Sequence, residues 1–192
     1  MEEHNVSNIP MLYDAILKQS EEIGFEMSSD KAVGALLKVL VASKPGGNFL
    51  ELGTGTGLAL AWIAEGMDDK ATLTSIDNDP KAIAIAKKYF EEDPRIAIHC
   101  EDAAKWIAGY QGKAFDLIFA DTWAGKYTHL DDVLMRIKPG GFYVVDDMHK
   151  QPNWPEGHEE KVKALYNTLE HMSTMQLVRL DWATGLVVAV KI

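Results

Sequence analysis

The stretch FLELGTGTGLALAW, from Phe49 to Trp62, decides the fold. It places an apolar run directly before three glycines at alternate positions, Gly53, Gly55 and Gly57, and a helical pattern directly after them. Glycine at such a junction lets the backbone turn sharply and lets a ligand approach where a Cβ would collide. A tight turn needs only one glycine, so three of them predict a loop that holds a nucleotide-like cofactor.

Strand-like and helix-like segments alternate on both sides of this loop. Alternation of this kind favours a parallel sheet with helices on both faces. The last two apolar runs are separated by a short turn containing Gly185, which predicts an antiparallel hairpin at the sheet edge. We therefore expect an α/β fold: a single Rossmann-like domain over residues 28–192 with a mostly parallel, seven-stranded sheet. Residues 1–27 are expected to form a helical appendage.

Local signals predict where individual helices begin and end. Ser28 or Ser29 is expected to cap the helix before the first strand. Asp79, followed by a proline, is expected to cap the helix after the second strand. The sequence KPGG at 138–141 is expected to close the helix that follows the fourth strand.

Composition restricts the class of partner. The chain has 192 residues, 47% of them hydrophobic, and a formal net charge of -10. This acidity disfavours tight binding of nucleic-acid phosphates and favours a small-molecule substrate. The single Cys100, a start without a signal-peptide pattern and apolar runs too short to span a membrane predict a cytoplasmic protein with no membrane partner.

The residues around the glycines indicate which cofactor is bound. A dinucleotide fingerprint, G-x-G-x-x-G/A, requires a small residue at position 58, where this chain has Leu58. The carboxylate of Glu51 would repel a pyrophosphate but attract the ammonium group of an amino acid. Together these features favour S-adenosylmethionine over NAD.

The motif E-x-G-x-G-x-G, here Glu51 to Gly57, resembles the first motif of the class I S-adenosylmethionine-dependent methyltransferases. The resemblance implies that Asp77, at the end of the second strand, binds the ribose hydroxyls; it lies 20 positions after Gly57 (77 − 57), a spacing typical of ribose binding. The implied cofactor-binding set is Met27, Glu51, Gly53, Thr54, Gly55, Gly57, Asp77, Asn78, Asp102, Ala103 and Asp121.

The segment CEDAAKW resembles the part of that family's fold that binds adenine. The resemblance implies contacts from Asp102 and Ala103, with Ile76, Asn78 and Trp106 as walls of the adenine pocket. Two simpler interpretations remain open. Asp102 is also suited to capping its own helix, and a tryptophan such as Trp106 commonly packs in a core.

Three carboxylates follow the fourth and fifth predicted strands: Asp121, Asp146 and Asp147. The carboxyl ends of parallel strands meet at one edge of the sheet, and hard oxygen ligands there suit Mg²⁺. The alternative is that these acids are helix caps and solvated loop ends. The segments resemble D-x-x-K-x-x-Y and D-N of the metal-dependent O-methyltransferases of the catechol and caffeoyl-coenzyme A type, which implies a metal held by these carboxylates.

Two departures from that pattern affect the expected chemistry. Ala124 stands where the family has its lysine base, and the D-N pair corresponds to Asp146-Asp147 or to Asp147-Met148, depending on a one-residue gap. Lys126 and His149 are the nearby candidates for the base, since histidine exchanges protons near neutral pH. The alternative is that His149 is a surface or loop residue with no such role. We therefore list Asp121, Lys126 and His149 as candidate catalytic residues.

These features predict an enzyme that methylates a hydroxyl oxygen of a small aromatic acceptor, with Trp123 and Trp154 as walls for a flat ring and Mg²⁺ as an assisting ion. Three alternatives remain: a tRNA wobble-uridine hydroxyl methyltransferase, a non-catalytic S-adenosylmethionine-binding protein and, least favoured, an NAD(P)-dependent oxidoreductase. The terminal hairpin and the N-terminal segment are the surfaces expected in a homodimer.

Overall fold

The structure, a computed structural model, describes residues 6–151 and 154–192. Within these residues, helices and strands alternate along the chain in the order α1 (Tyr13–Glu22), α2 (Lys31–Ala42), β1 (Asn48–Leu52), α3 (Leu58–Gly66), β2 (Thr72–Asp77), α4 (Pro80–Phe90), β3 (Ile96–Cys100), α5 (Ala103–Gly109), β4 (Phe115–Ala120), α6 (Leu130–Met135), β5 (Ile137–Val145), α7 (His158–His171), β6 (Met175–Leu180) and β7 (Leu186–Lys191).

The strands form one seven-stranded sheet in the order β3-β2-β1-β4-β5-β7-β6. β1 to β5 are parallel, whereas β7 is antiparallel to both β5 and β6, so the predicted sheet and its terminal hairpin are confirmed. The strand order reverses between β1 and β4, and open α/β sheets bind ligands outside the strand ends at such a reversal. The loop from Gly53 to Gly57, here called the glycine loop, therefore begins at the position where a ligand is expected.

Hydrophobic cores cover both faces of the sheet. Phe49, Trp62 and Leu73 belong to one buried cluster, and Leu50, Ile118 and Tyr143 belong to the other. β1 contributes to both because successive side chains of a strand point to opposite faces. Burial on both faces explains why the strands read as nearly continuous apolar runs.

The N-terminal appendage contains the predicted helix. α1 places Tyr13 and Ile16 in the same cluster as Trp62 of α3, and the rings of Tyr13 and Trp62 meet edge to face with centroids 6.0 Å apart. Its Ser20 hydroxyl donates to the carbonyl of Ile16 and lies 2.7 Å from the Thr56 hydroxyl oxygen. The helix therefore packs directly against the glycine loop; the domain boundary at residue 27 stays a prediction.

Two local predictions are wrong. Asp30, rather than Ser28 or Ser29, caps α2, because its carboxylate accepts a hydrogen bond from the Ala32 amide at 2.7 Å. The sequence KPGG does not close a helix: α6 ends at Met135 and these residues lie inside β5. Pairing of Phe115 with Ile137, followed by a register shift, draws this segment into the sheet despite its turn residues. Asp79 caps α4 as predicted.

Candidate active site

The glycine loop adopts backbone conformations that side chains disfavour. Gly53, Gly55 and Gly57 have φ angles of 104°, 51° and 96°, in the left-handed region. A Cβ on Gly53 would lie 2.8 Å from the Asp121 carbonyl oxygen, so the loop touches the end of β4. A Cβ on Gly55 would lie 2.9 Å from Cζ of Phe25. The loop thus needs glycine both for its conformation and for its close contacts.

Asp77 fastens this loop to the end of β2. Its Oδ2 accepts a hydrogen bond from the Gly55 amide at 2.8 Å, and its Oδ1 accepts one from the Asp79 amide at 2.9 Å. The structure therefore brings the predicted ribose-binding carboxylate and the glycine loop together. Both oxygens keep further lone pairs for an additional donor.

The predicted adenine residues lie at the adjacent strand ends. Asn78 and Asp102 are exposed, and Ala103 is the first residue of α5. Asp102 caps this helix by accepting from the Lys105 amide at 2.9 Å, so the simpler interpretation of this residue is present in the structure. Trp106 stacks on Tyr110 with ring centroids 4.6 Å apart, which gives it a packing role.

Glu51 is fully buried beneath the loop. The Ser75 hydroxyl donates to its Oε2 at 2.5 Å, and the Thr54 hydroxyl lies 2.5 Å from that of Ser75. Oε1 has no hydrogen-bond partner within the described residues. Burial raises the pKa of Glu51 to about 8. The Ser75 hydrogen bond lowers this pKa, and the negative charges of Asp121 and Asp77 raise it further. A buried, unpartnered carboxylate oxygen fits a cationic ligand group.

The segment before α2 covers the loop. Phe25, Met27, Ser28 and Ser29 share a small cavity, about 20 Å³ in volume, with the glycine loop and Asp121. The cavity is small because the Phe25 ring packs over Gly55. Met27, predicted from sequence to bind cofactor, lines this cavity with 72% of its surface exposed.

The buried Lys126 and the half-buried Asp121 form an ion pair at the end of β4. The Lys126 ammonium lies 3.3 Å from Oδ1 of Asp121 and donates to the Asp146 carbonyl oxygen at 2.9 Å. Burial raises the pKa of Asp121 to about 7; the Lys126 charge opposes this rise, and the charges of Asp146 and Asp147 add to it. The structure thus joins three of the predicted residues: Asp121, Lys126 and Asp146.

The carboxylate of Asp146 takes part in a different set of contacts. Its Oδ1 accepts hydrogen bonds from the Thr184 hydroxyl at 2.6 Å and from the Asp147 amide at 2.7 Å. Burial raises the pKa of Asp146. Asp147 has φ of 58°, an uncommon backbone conformation for a residue other than glycine.

His149 is held by the β6–β7 turn. Its Nε2 lies 2.9 Å from Oδ1 of Asp181, and its amide donates to the Thr184 carbonyl oxygen at 2.6 Å. The ring also occupies the space that a Cβ on Gly185 would need. The structure therefore places His149 against the hairpin, whereas Lys126 is the candidate base that contacts Asp121.

Four aromatic side chains lie beside the turn after β4 that carries Lys126, here called the Lys126 turn. They are Trp123, Tyr127, Trp154 and His158, here called the aromatic cluster. His158 lies at the centre, with ring-centroid distances of 5.6 Å to Trp123, 5.2 Å to Tyr127 and 4.3 Å to Trp154. Its Nε2 is 3.2 Å from the Tyr127 hydroxyl, and its Nδ1 is buried without a partner among the described residues. Trp123 is 48% exposed.

Protonation states in the aromatic cluster follow from burial. Burial lowers the pKa of His158, and the Lys126 charge lowers it further. Burial also raises the pKa of Tyr127 to about 12. Both groups are therefore neutral at pH 7. Sequence reasoning did not single out His158; its position four residues after Trp154 was the available signal.

Comparison with known proteins identifies the family. The family model described as a methyltransferase domain matches residues 50–148. A Mycolicibacterium vanbaalenii protein with the provisional name O-methyltransferase is 30% identical over 151 residues, which cover 74% of this chain and 65% of that protein. The chain thus spans less than two thirds of the length of the curated relatives that it matches first.

Solved structures share the fold across nearly the whole chain. A Klebsiella pneumoniae protein superposes with a TM-score of 0.84 at 18% identity, covering 97% of this chain and 92% of that one. A Bacillus cereus O-methyltransferase in complex with S-adenosylhomocysteine (SAH) superposes with a TM-score of 0.83 at 18% identity, covering 98% of this chain and 94% of that one. The fold predicted from sequence is confirmed. Across the described residues, no helix is long and apolar enough to cross a membrane.

Proposed function

Since the chain belongs to the methyltransferase domain family, we propose that it transfers a methyl group from S-adenosylmethionine to a hydroxyl oxygen of a small aromatic acceptor. The observation that carries this proposal is the buried, unpartnered Oε1 of Glu51 beneath a loop of three left-handed glycines. The family relation and the O-methyltransferase names of the relatives support the reaction type.

The charges around the loop fit this cofactor. When bound, S-adenosylmethionine supplies an electrophilic methyl group on a positively charged sulfur. Glu51 binds its ammonium group and Asp77 accepts hydrogen bonds from its ribose hydroxyls. Asp102 and Ala103 contact the adenine. A pyrophosphate in the same place would face the carboxylate of Asp77, and like charges repel.

The covering segment has to move when the cofactor binds. The cavity of about 20 Å³ is far smaller than a nucleoside ligand, and the Phe25 ring fills the space over Gly55. Displacement of this one ring opens the glycine loop to the ligand. Met27, at the same cavity, then lies beside the methionine part of the cofactor.

The aromatic cluster supports a flat acceptor. The exposed face of Trp123 offers a stacking surface beside the turn that carries Lys126, and Lys161 lies over the same ring at 5.3 Å. Aromatic pairs of this kind gain roughly 0.5–1.5 kcal/mol beyond the area they bury. The Lys126 amide donates to the Trp123 carbonyl oxygen at 3.2 Å, so an acceptor ring stacked on Trp123 would lie beside the turn that carries Lys126.

The test is methyl transfer from tritium-labelled S-adenosylmethionine to a panel of catechols and monophenols, with unmodified tRNA as the second acceptor class. We expect label in the phenol ether fraction and none in tRNA. Label in tRNA alone would favour the wobble-uridine alternative, which the net charge of -10 disfavours. Cofactor binding with no transfer to either class would favour the non-catalytic alternative.

A further inference from the structure

Lys126 occupies an environment that lysine side chains rarely enter. It is 4% exposed, whereas lysine is almost never fully buried without a partner. Its ammonium has two acceptors among the described residues, Oδ1 of Asp121 and the carbonyl oxygen of Asp146. An ammonium carries three N–H donors, so one is left for a further acceptor.

The surrounding oxygens do not fit the divalent cation that the sequence predicted. Mg²⁺ requires near-octahedral oxygen ligation at about 2.0–2.1 Å. Oδ1 of Asp146 accepts hydrogen bonds from the Thr184 hydroxyl and the Asp147 amide, and its carbonyl oxygen accepts one from Lys126. In residues 6–151 and 154–192, no three acidic, histidine or cysteine side chains are grouped to hold a metal ion. A positive charge already stands between Asp121 and Asp146, and it would repel a second cation.

The turn that carries Lys126 is built to point it inward. Gly125 has φ of 89°, and a Cβ there would lie 2.7 Å from Cδ1 of Leu52, so the turn presses against the core. The buried Tyr143 hydroxyl donates to the Gly125 carbonyl oxygen, which fixes the turn from the β5 side. Ala124 is thereby buried, and the lysine two positions later reaches the end of β4.

We propose that the Lys126 ammonium takes the place of the divalent cation of metal-dependent O-methyltransferases and stabilises the acceptor oxygen as its proton leaves. This inference rests on the proposed function. The acceptor oxygen forms the new bond to the methyl carbon while the sulfur–carbon bond breaks and its electron pair stays on sulfur. The hydroxyl proton passes to solvent water. The free N–H of Lys126 faces the negative charge that develops on oxygen, as fixed donors do in an oxyanion hole.

Metal dependence of the wild-type chain gives the first test. We expect turnover with a catechol to be unchanged in EDTA and Mn²⁺ to show no saturable binding by electron paramagnetic resonance, with SAH present or absent. Turnover that EDTA abolishes and Mg²⁺ restores would overturn the inference, and so would stoichiometric Mn²⁺ binding that Asp121→Asn removes. Manganese binding is measured on the protein alone and does not depend on finding the natural acceptor.

The acidity of a bound phenol gives the second test. 4-Nitrophenol absorbs visible light only as the phenolate, so titration of its complex with protein and SAH reports the pKa of the bound hydroxyl. We expect Lys126→Met to raise that pKa by about one pH unit, the effect of losing an adjacent opposite charge. The control, Lys150→Met, removes a lysine that is paired with Glu159 on the surface and should leave it unchanged.

The outcomes separate this inference from the proposed function. Equal 4-nitrophenol pKa values in wild type and Lys126→Met, with SAH bound to both, would overturn the role of Lys126 and leave methyl transfer standing. Failure of the wild type to bind SAH would instead overturn the proposed function. Lys126→Met leaves Asp121 buried without its counter-charge and is expected to lower stability, so Lys126→Arg, which keeps the charge, is measured beside it. We expect its 4-nitrophenol pKa to stay near the wild-type value.

Discussion

Replacing Gly55 with alanine tests whether the loop's space, and not only its conformation, is used by the cofactor. Gly55 has φ of 51°, and an alanine in this region costs about 1 kcal/mol in conformational energy. The added Cβ would lie 2.9 Å from Cζ of Phe25, the mobile end of a side chain, so the further cost to the free protein is small. We therefore expect Gly55→Ala to lower the free energy of unfolding by about 1 kcal/mol.

The same Cβ occupies the position where the cofactor must approach the backbone. Loss of this close contact is expected to weaken SAH binding by about tenfold or more, which corresponds to roughly 1.4 kcal/mol. Gly140→Ala is the matched control, because Gly140 has φ of 75° in β5 and no atom within 4 Å of the added Cβ. Urea unfolding and calorimetric titration with SAH measure both variants. Equal SAH affinity in Gly55→Ala and Gly140→Ala would refute the reasoning.

Three further predictions concern the carboxylates and the acceptor surface. Asp77→Ala should weaken SAH binding by about tenfold or more, measured by calorimetry, because charged hydrogen bonds are lost. The control Asp79→Asn keeps the α4 cap and should bind SAH as the wild type does. Because the pKa of Glu51 is raised from 4.5 to about 8, the folded protein holds an extra proton between these values and loses stability as pH rises through them. Urea unfolding at several pH values should therefore show the free energy of unfolding of Glu51→Gln rising by about 2 kcal/mol relative to that of the wild type between pH 6 and pH 8. A difference between the two proteins that does not change with pH would contradict this. Trp123→Leu should raise KM for a catechol about fivefold or more and leave KM for S-adenosylmethionine unchanged; an unchanged catechol KM would remove Trp123 from the acceptor site.

The sheet and the glycine loop were predictable because their signals are local. The apolar run of β1, the glycines after it and the acid at the end of β2 lie within about thirty positions, and each has a direct physical reason. Asp77 contacts the loop as expected because parallel neighbouring strands end at the same edge of the sheet. The carboxyl ends of β1, β2 and β4 meet for the same reason.

Helix and strand boundaries were less predictable because tertiary contacts compete with local preferences. Ser28 and Ser29 are good capping residues, yet Asp30 caps α2 while the Ser29 hydroxyl turns toward Asp121 at 3.5 Å. Proline and two glycines favoured a turn after α6, but pairing between β4 and β5 extends the strand through them. In both cases the deciding partner lies far away along the chain.

The role of Lys126 depends on contacts that spacing along the sequence does not reveal. From the sequence, Lys126 and His149 were both candidates for the base beside a predicted metal, and the proton chemistry of histidine favoured His149. The conformation of the Lys126 turn is set by Leu52 and Tyr143, which lie in other strands. His158 likewise meets Tyr127, 31 positions earlier, only because α7 returns to this edge of the sheet.

The measurement that tests the central claim most directly is calorimetric titration of the full chain with SAH, run beside an identical titration with NAD⁺. We predict saturable SAH binding with one site per chain, weakened in Gly55→Ala and Asp77→Ala, and no saturable binding of NAD⁺. Binding of NAD⁺ without binding of SAH would contradict the account, because the loop would then hold a pyrophosphate beside the carboxylate of Asp77 instead of an ammonium group beside Glu51.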